Sequence, residues 1–136
     1  MNFTKDQTSE ITIKYYDDNQ LKIGNHSIDY SCIVGMNQII GKWNNKNADN
    51  TAIEDLNFLA KKKPDILIFG TGQNTVIPNR NLIFDLAKIN LGIEVMTTAA
   101  ACRTFNILIS ESFIIAGSPE IPRTIFFVNG FMFKVL

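Results

Sequence analysis

The sequence predicts a single α/β domain over residues 1–136, in three layers: a central mixed sheet with helices on its faces. An N-terminal β-hairpin region and an apolar C-terminal hairpin complete it. Three observations carry this prediction. The stretch from Pro64 to Asn106 holds two short apolar runs, Ile66–Phe69 and Ile93–Met96, each followed by small and polar residues and then by a helical pattern. That order builds parallel strands whose carboxyl ends present loops and a helix start. The first fifty residues alternate, or run apolar in short segments between turn residues, as strands do. The composition, 46% hydrophobic and 19% charged over 136 residues, is that of a folded domain able to bury roughly two-thirds of its unfolded surface.

The elements follow in order. Residues 1–9 are polar and expected to be flexible. Ile11, Ile13 and Tyr15 alternate with Thr12, Lys14 and Tyr16 as a half-buried strand. Asp17–Gln20 supplies turn chemistry, and Leu21–Ile23 returns as the hairpin partner. Gly24–Ser27 reads as a polar turn. Tyr30–Met36 and Gln38–Trp43 are two further strands turning at Asn37. After the polar loop 44–50, Thr51 and Glu54 have the spacing of a capping box, which predicts a helix carrying Ile53, Leu56, Leu59 and Ala60 on one face. Pro64 ends it, and the basic run Lys61–Lys63 sits where cations favour a helix C-terminus.

Ile66–Phe69 is a continuous apolar strand, broken by Gly70-Thr71-Gly72. A second helix starts near Asn79 with Leu82, Ile83, Leu86 and Ile89 inward and Gly92 just past its end. Ile93–Met96 is the next buried strand. Thr97 or Thr98 caps a third helix over Ala99–Ile109, and Phe113–Ala116 reads as one more strand. The ending, Ile125 to Leu136, places Asn129-Gly130 between two β-prone runs, the strongest short-range hairpin signal. It carries four Phe residues, more than one hairpin face hides. The tail at 124–136 therefore packs on its own domain, forms a homo-oligomer contact, or touches a membrane surface.

Charge and composition exclude several functions. Thirteen basic and thirteen acidic residues leave a formal net charge of zero, without the basic surplus that nucleic-acid binding needs to displace counterions. No run approaches the ~18 apolar residues of a membrane span. The N-terminus reads as neither a secretory signal nor a mitochondrial presequence, so a cytoplasmic location is expected. Cys32 and Cys102 read as free thiols in a reducing compartment. His26, the one histidine, lies in a polar turn without companion ligands, so no metal and no cofactor are expected.

The candidate chemistry gathers at the carboxyl ends of the two apolar strands. Gly70-Thr71-Gly72 lacks the third glycine of a dinucleotide fingerprint and the Gly-Lys-Ser/Thr of a P-loop, so it reads as a tight turn or as a place where backbone approaches a ligand. Thr97-Thr98-Ala99-Ala100-Ala101-Cys102-Arg103 opens a helix, whose free N–H groups and partial charge favour an anion. Arg103 adds a forked cation. Gly70, Thr71, Gly72, Gln73, Thr97, Thr98 and Arg103 are thus a candidate anion site. Against it, the three alanines serve equally for close helix–sheet packing, with Arg103 paired to Glu94, Asp85 or solvent. Cys102 has no base within reach in the sequence pattern. The acids Asp65, Asp85, Glu94 and Glu111 show no paired spacing, so no catalytic set is assigned.

These same residues resemble the Mth-type domain family. The resemblance rests on Pro-Asp-Ile-Leu-Ile-Phe-Gly-Thr-Gly from Pro64 and Gly-Ile-Glu-Val-Met-Thr-Thr-Ala-Ala-Ala-Cys-Arg-Thr-Phe-Asn-Ile-Leu from Gly92. It is strong over Pro64–Ala116 and looser over Tyr30–Lys63. Matching positions are Gly70, Thr71, Gly72, Pro78, Thr98, Ala100, Cys102, Arg103, Thr104 and Asn106. The tail after Pro122 departs from the usual ending. The family includes an assembly factor of respiratory complex I. Membership implies a mixed-sheet α/β fold, no established enzymatic activity, and protein partners, respiratory complex subunits among them, here in a bacterial setting.

Overall fold

A computed structural model describes residues 12–17, 20–35, 39–43, 47–57, 64, 66–114 and 124–128, with backbone only for the last four residues of the long helix and for 124–128. The first three strands, β1 (Ile13–Tyr16), β2 (Leu21–Ile23) and β3 (His26–Ile28), form an antiparallel sheet in that order. The β1–β2 hairpin forms as predicted, but a register shift between Ile13 and Tyr15 breaks the alternation, so that Tyr15 is exposed and Tyr16 packs against the core. The Gly24–Ser27 turn is not: only Gly24-Asn25 turns, with Gly24 at φ 56°, and His26 and Ser27 continue into β3 opposite Ile23 and Lys22. Glycine at the first position of a two-residue hairpin turn suits the left-handed backbone required there. His26 and Ser27 are exposed while Ile28 is buried, so a half-polar edge strand had the composition of a turn.

Strands β4 (Cys32–Gly35) and β5 (Ile39–Lys42) pair antiparallel, as expected. The capped helix expected after residue 50 is replaced, among the described residues, by two short 3-10 turns, Ala48–Asn50 and Ile53–Leu56. The cap is shifted by one residue. Asp55, not Glu54, accepts from the Ala52 N–H at 2.9 Å, while the Thr51 hydroxyl donates back to the Asn47 carbonyl at 2.8 Å. Leu59, Ala60 and Lys61–Lys63 lie outside the described residues, as do residues 1–9.

The larger sheet runs β5-β4-β8-β6-β7, with β6 (Ile66–Gly70), β7 (Ile93–Met96) and β8 (Thr124–Val128). It is mixed: β8 is antiparallel to β4 and parallel to β6, and β6 is parallel to β7. Thr124–Val128 is a strand, as the apolar tail suggests, but it is the middle one. Its two edges pair with β4 and β6. The returning arm of the expected hairpin, residues 131–135, lies outside the described residues.

Helix α1 (Arg80–Lys88) begins where predicted: the Asn79 side chain accepts from the Asn81 N–H at 2.8 Å. Its end is closed by Asn90, not Gly92. Asn90 sits at φ 59°, its N–H reaches the Ala87 carbonyl at 3.0 Å, and the Leu91 N–H reaches that of Leu86 at 3.0 Å. These are the two bonds of a Schellman cap, which asparagine tolerates. Leu82 and Leu86 are buried as expected, whereas Ile83 and Ile89 are exposed. Helix α2 (Thr98–Ile114) is longer than predicted and absorbs Phe113 and Ile114, which the sequence pattern assigns to a strand.

Two apolar clusters make the three layers. On one face of the larger sheet, Ile68, Cys32 and Val34 pack with Ala101, Cys102, Phe105 and Ile109 of α2 and with Ile13, Leu21, Ile23 and Ile28 of the small sheet. On the other, Leu67, Phe69 and Ile33 pack with Leu82 and Leu86 of α1 and with Trp43, Ala48 and Leu56. The Trp43 and Phe69 rings meet edge to face, centroids 6.2 Å apart. Asn106 of α2 ties the layers together. Its amide accepts from the Ile13 N–H at 2.9 Å and donates to the Ile13 carbonyl at 2.8 Å, acting as one residue of a neighbouring strand.

Candidate functional site

Parallel pairing of β6 with β7 sets Gly70 opposite Met96, so the loops that follow emerge side by side. The first turn of α2 lies against them. Gly70 is required by that approach. A Cβ there would lie 3.1 Å from the Thr98 Cα and 3.2 Å from the Ala101 Cβ, tighter than nine in ten real contacts, so the helix would have to give by a few tenths of an ångström. Ala101 is fully buried against the strand, so the small residues of this helix do close packing.

The loops are laced to the helix by their polar groups. Gly72, at φ 99°, donates its N–H to the Thr98 hydroxyl at 2.8 Å, and its carbonyl accepts the Thr98 N–H at 2.9 Å. The Thr71 N–H bonds the Met96 carbonyl at 2.9 Å. The Thr71 hydroxyl donates to the Asn74 carbonyl at 2.7 Å and accepts from the Val76 N–H at 3.1 Å, which folds 71–76 into a closed turn. Thr97 is the cap: its hydroxyl accepts from the Ala100 N–H at 3.2 Å and its carbonyl from that of Ala101 at 2.9 Å. Thr71 and Thr98 are buried.

Of the seven residues singled out from sequence, the fold places five at one junction: Gly70, Thr71 and Gly72 on the loop side and Thr97 and Thr98 at the helix start, joined by the two Gly72–Thr98 bonds. Their hydroxyls are engaged within the fold: Thr71 with Asn74 and Val76, Thr97 with Ala100, and Thr98 with Gly72. Of the first four N–H groups of α2, those of Thr98, Ala100 and Ala101 have partners within the fold, and that of Ala99 has none among the described residues. Gln73 and Arg103 are exposed. Neither has a polar partner among the described residues, and Asp85 pairs instead with Lys88 at 3.5 Å.

The thiol beside the site is unreactive in character. Burial pushes Cys102 up to about 12, with Cys32 adding to the rise and Arg103 opposing it. Burial alone does the same to Cys32. At neutral pH both are thiols, whereas nucleophilic attack needs thiolate. Among the described residues no three His, Cys, Asp or Glu side chains gather as metal ligands.

Two residues that stand out in the structure were given no role from sequence. Asn106 clasps β1 across 93 positions of chain, and no local pattern announces such a contact. Phe84 is 57% exposed on α1. Its signal was present, because it lies two positions from both Leu82 and Leu86 and hence on the opposite side of the helix.

The profile of the family described as protein of unknown function (DUF498/DUF598) matches residues 13–117. The chain belongs to this family. Among curated relatives, it is 30% identical over 57 residues to the "13 kDa major membrane protein" of Francisella tularensis subsp. holarctica, covering 42% of this chain and 46% of that protein. It is 27% identical over 116 residues to "NADH dehydrogenase (ubiquinone) 1 alpha subcomplex assembly factor 3" of Danio rerio, covering 84% of this chain and 66% of that one. The protein of the same name in Xenopus tropicalis is 27% identical over 123 residues, covering 89% and 67%. The chain thus spans between about half and two-thirds of these relatives. Among solved structures, XCC1710 of Xanthomonas campestris superposes with a TM-score of 0.72 at 20% identity, covering 88% of this chain and 83% of that one. A Bordetella pertussis protein described as a Mth938-like domain gives 0.69 at 18%, covering 90% and 89%. The Mth-type resemblance and the α/β fold expected of this DUF498/DUF598 member are thereby established.

Proposed function

We infer that this DUF498/DUF598 protein is a non-catalytic accessory factor that supports assembly of a larger complex, with respiratory complex I as the candidate. The observation that carries the reading is the match, over more than four-fifths of the chain, to two relatives named as complex I assembly factors. The site geometry supports it. The polar groups that attract attention in the sequence hold two loops to a helix, and the thiol beside them is buried, so this region is suited to rigidity. In this reading the protein acts in a bacterial cytoplasm through protein partners. Among the described residues no helix is long and apolar enough to cross a membrane. The segment after Val128 supplies a further contact, to a partner or to a second copy. Any truncation that probes it must start at Asn129, because β8 is the centre of the sheet.

Deleting the gene tests this. Native gels should show less assembled NADH:ubiquinone oxidoreductase, restored by the parent chain and by an Arg103→Ala variant alike. Unchanged complex levels would refute it.

A second reading is a small-anion binder, or an enzyme built on one, using Gly70–Gln73 and Thr97–Arg103. The Ala99 N–H, without a partner among the described residues, and the exposed Arg103 on the same helix favour it. A thermal-shift panel of phosphates and carboxylates should then stabilise the parent but not Arg103→Ala. Identical shifts in both chains would end that reading.

A further inference from the structure

Helix α1 carries its largest side chain on the wrong side for packing. Leu82 and Leu86, two positions before and after Phe84, are buried to 1% and 0%, while Phe84 is 57% exposed. At 3.6 residues per turn, positions two apart lie on nearly opposite faces and positions four apart share one. Phe84 is therefore at the crest of the solvent face, with Arg80 one turn before it and Lys88 one turn after. Ile83 on the helix and Ile77 in the segment before it are exposed as well, at 38% and 71%. Core packing explains none of this, since the inner face is complete without them.

We propose that the outer face of α1 is a docking site for a protein partner that offers an apolar pocket for Phe84, rimmed by carboxylates for Arg80 and Lys88. An aromatic anchor ringed by polar groups is the usual make-up of an interface hot spot. The charges select the partner. Lys88 is shared with Asp85, but both are solvent-exposed at 77% and 37%, and such a surface pair is weak enough to yield to a rim carboxylate. A second copy fits poorly, because a two-fold axis at Phe84 would set the Arg80 and Lys88 of one chain against those of the other. A lipid surface is disfavoured because the two cations of this helix, Arg80 and Lys88, fall short of the basic cluster that holds a short helix on an anionic membrane. The inference rests on the accessory-factor reading and names the partner's chemistry.

The test is photo-crosslinking in cells of the protein's own source. Phe84→p-benzoylphenylalanine is illuminated, and the adduct is sequenced by mass spectrometry. The expected result is one protein, crosslinked at an apolar peptide flanked by Asp or Glu. The adduct should be lost when Arg80→Glu and Lys88→Glu are added. In parallel, Phe84→Ala should weaken recovery of that partner about 30-fold or more, as hot-spot truncations do, with an unchanged thermal midpoint. An adduct to the chain itself, to lipid or to nothing would overturn the proposal, as would one indifferent to the charge reversals. The two readings fail separately. A carboxylate-rimmed partner outside the respiratory complex keeps this site and refutes the complex I role, whereas respiratory subunits recovered equally by Phe84→Ala keep the role and refute the site.

Discussion

Replacing Thr98 by Val isolates the bond that joins the loop to the helix. Valine matches the volume of threonine, and the position is fully buried, so the change removes an acceptor with little change of packing. The Gly72 N–H, held at 2.8 Å by the Thr98 hydroxyl, is then buried without a partner, at a cost of about 1–3 kcal/mol. Taking about 2 kcal/mol, and an unfolding entropy of about 2.1 cal/mol/K per residue over the chain, the thermal midpoint falls by about 7 °C. Denaturant unfolding should give the same loss with an unchanged m-value. Hydrogen exchange supplies the local readout. Exchange at the Gly72 amide should quicken roughly 30-fold in Thr98→Val, since about 1.4 kcal/mol corresponds to a factor of ten, and stay slow in Thr98→Ser. A Thr98→Val protein within about 0.5 kcal/mol of the parent, a difference typical of neutral surface changes, with a protected Gly72 amide, would refute the claim that the two loops are locked by these side chains.

Other consequences are as specific. Asn106→Asp keeps the acceptor for the Ile13 N–H but sets a carboxylate oxygen against the Ile13 carbonyl. It should destabilise at neutral pH by about 1–3 kcal/mol. Because the protonated acid restores the donor, its folded-state pKa is raised, so stability should return on acidification and be lost again as pH rises through that pKa. A pH-independent loss would count against the clasp. Gly70→Ala must push α2 from the strand and should cost about 1–3 kcal/mol, as overpacking does, read from denaturation midpoints; a neutral or stabilising effect would contradict the close approach. The two thiols make stability fall at high pH. Their pKa values are about 12 in the fold and 9.0 unperturbed, so between those limits the unfolded chain loses protons that the folded one keeps. Each thiol then costs about 1.4 kcal/mol per pH unit. Cys102→Ala should show a shallower decline than the parent from pH 9 upward, and parallel curves would contradict its burial.

The fold was legible where one signal acted alone. Ile66–Phe69 is covered on both faces, and its continuous apolar run says so, whereas Ile93–Met96 is a strand as predicted but lies at the sheet's edge, half-buried with Glu94 exposed. Asn79 caps α1 through its own side chain, a local bond that local sequence records. What failed depended on distant partners. Phe113 and Ile114 are β-prone residues, yet they continue α2, whose buried stripe of Ala101, Cys102, Phe105 and Ile109 sets the conformation. His26 and Ser27 look like a turn because a short edge strand needs only Ile28 to be apolar. The tail reads as an appendage because nothing local marks Thr124–Val128 as lying between β4 and β6. At the site, the sequence identified which two loops meet, since strand order alone places them together. That Thr71, Thr97 and Thr98 would bond backbone groups of the loop and the helix depends on register and on Gly72's positive φ, neither of which composition encodes.

Affinity purification of the tagged full chain at native expression, with mass spectrometry of what accompanies it, bears most directly on the accessory-factor account. Reproducible recovery of NADH:ubiquinone oxidoreductase subunits or of their assembly intermediates is the predicted result. Recovery of the protein alone, or with partners unrelated to that complex, would contradict it.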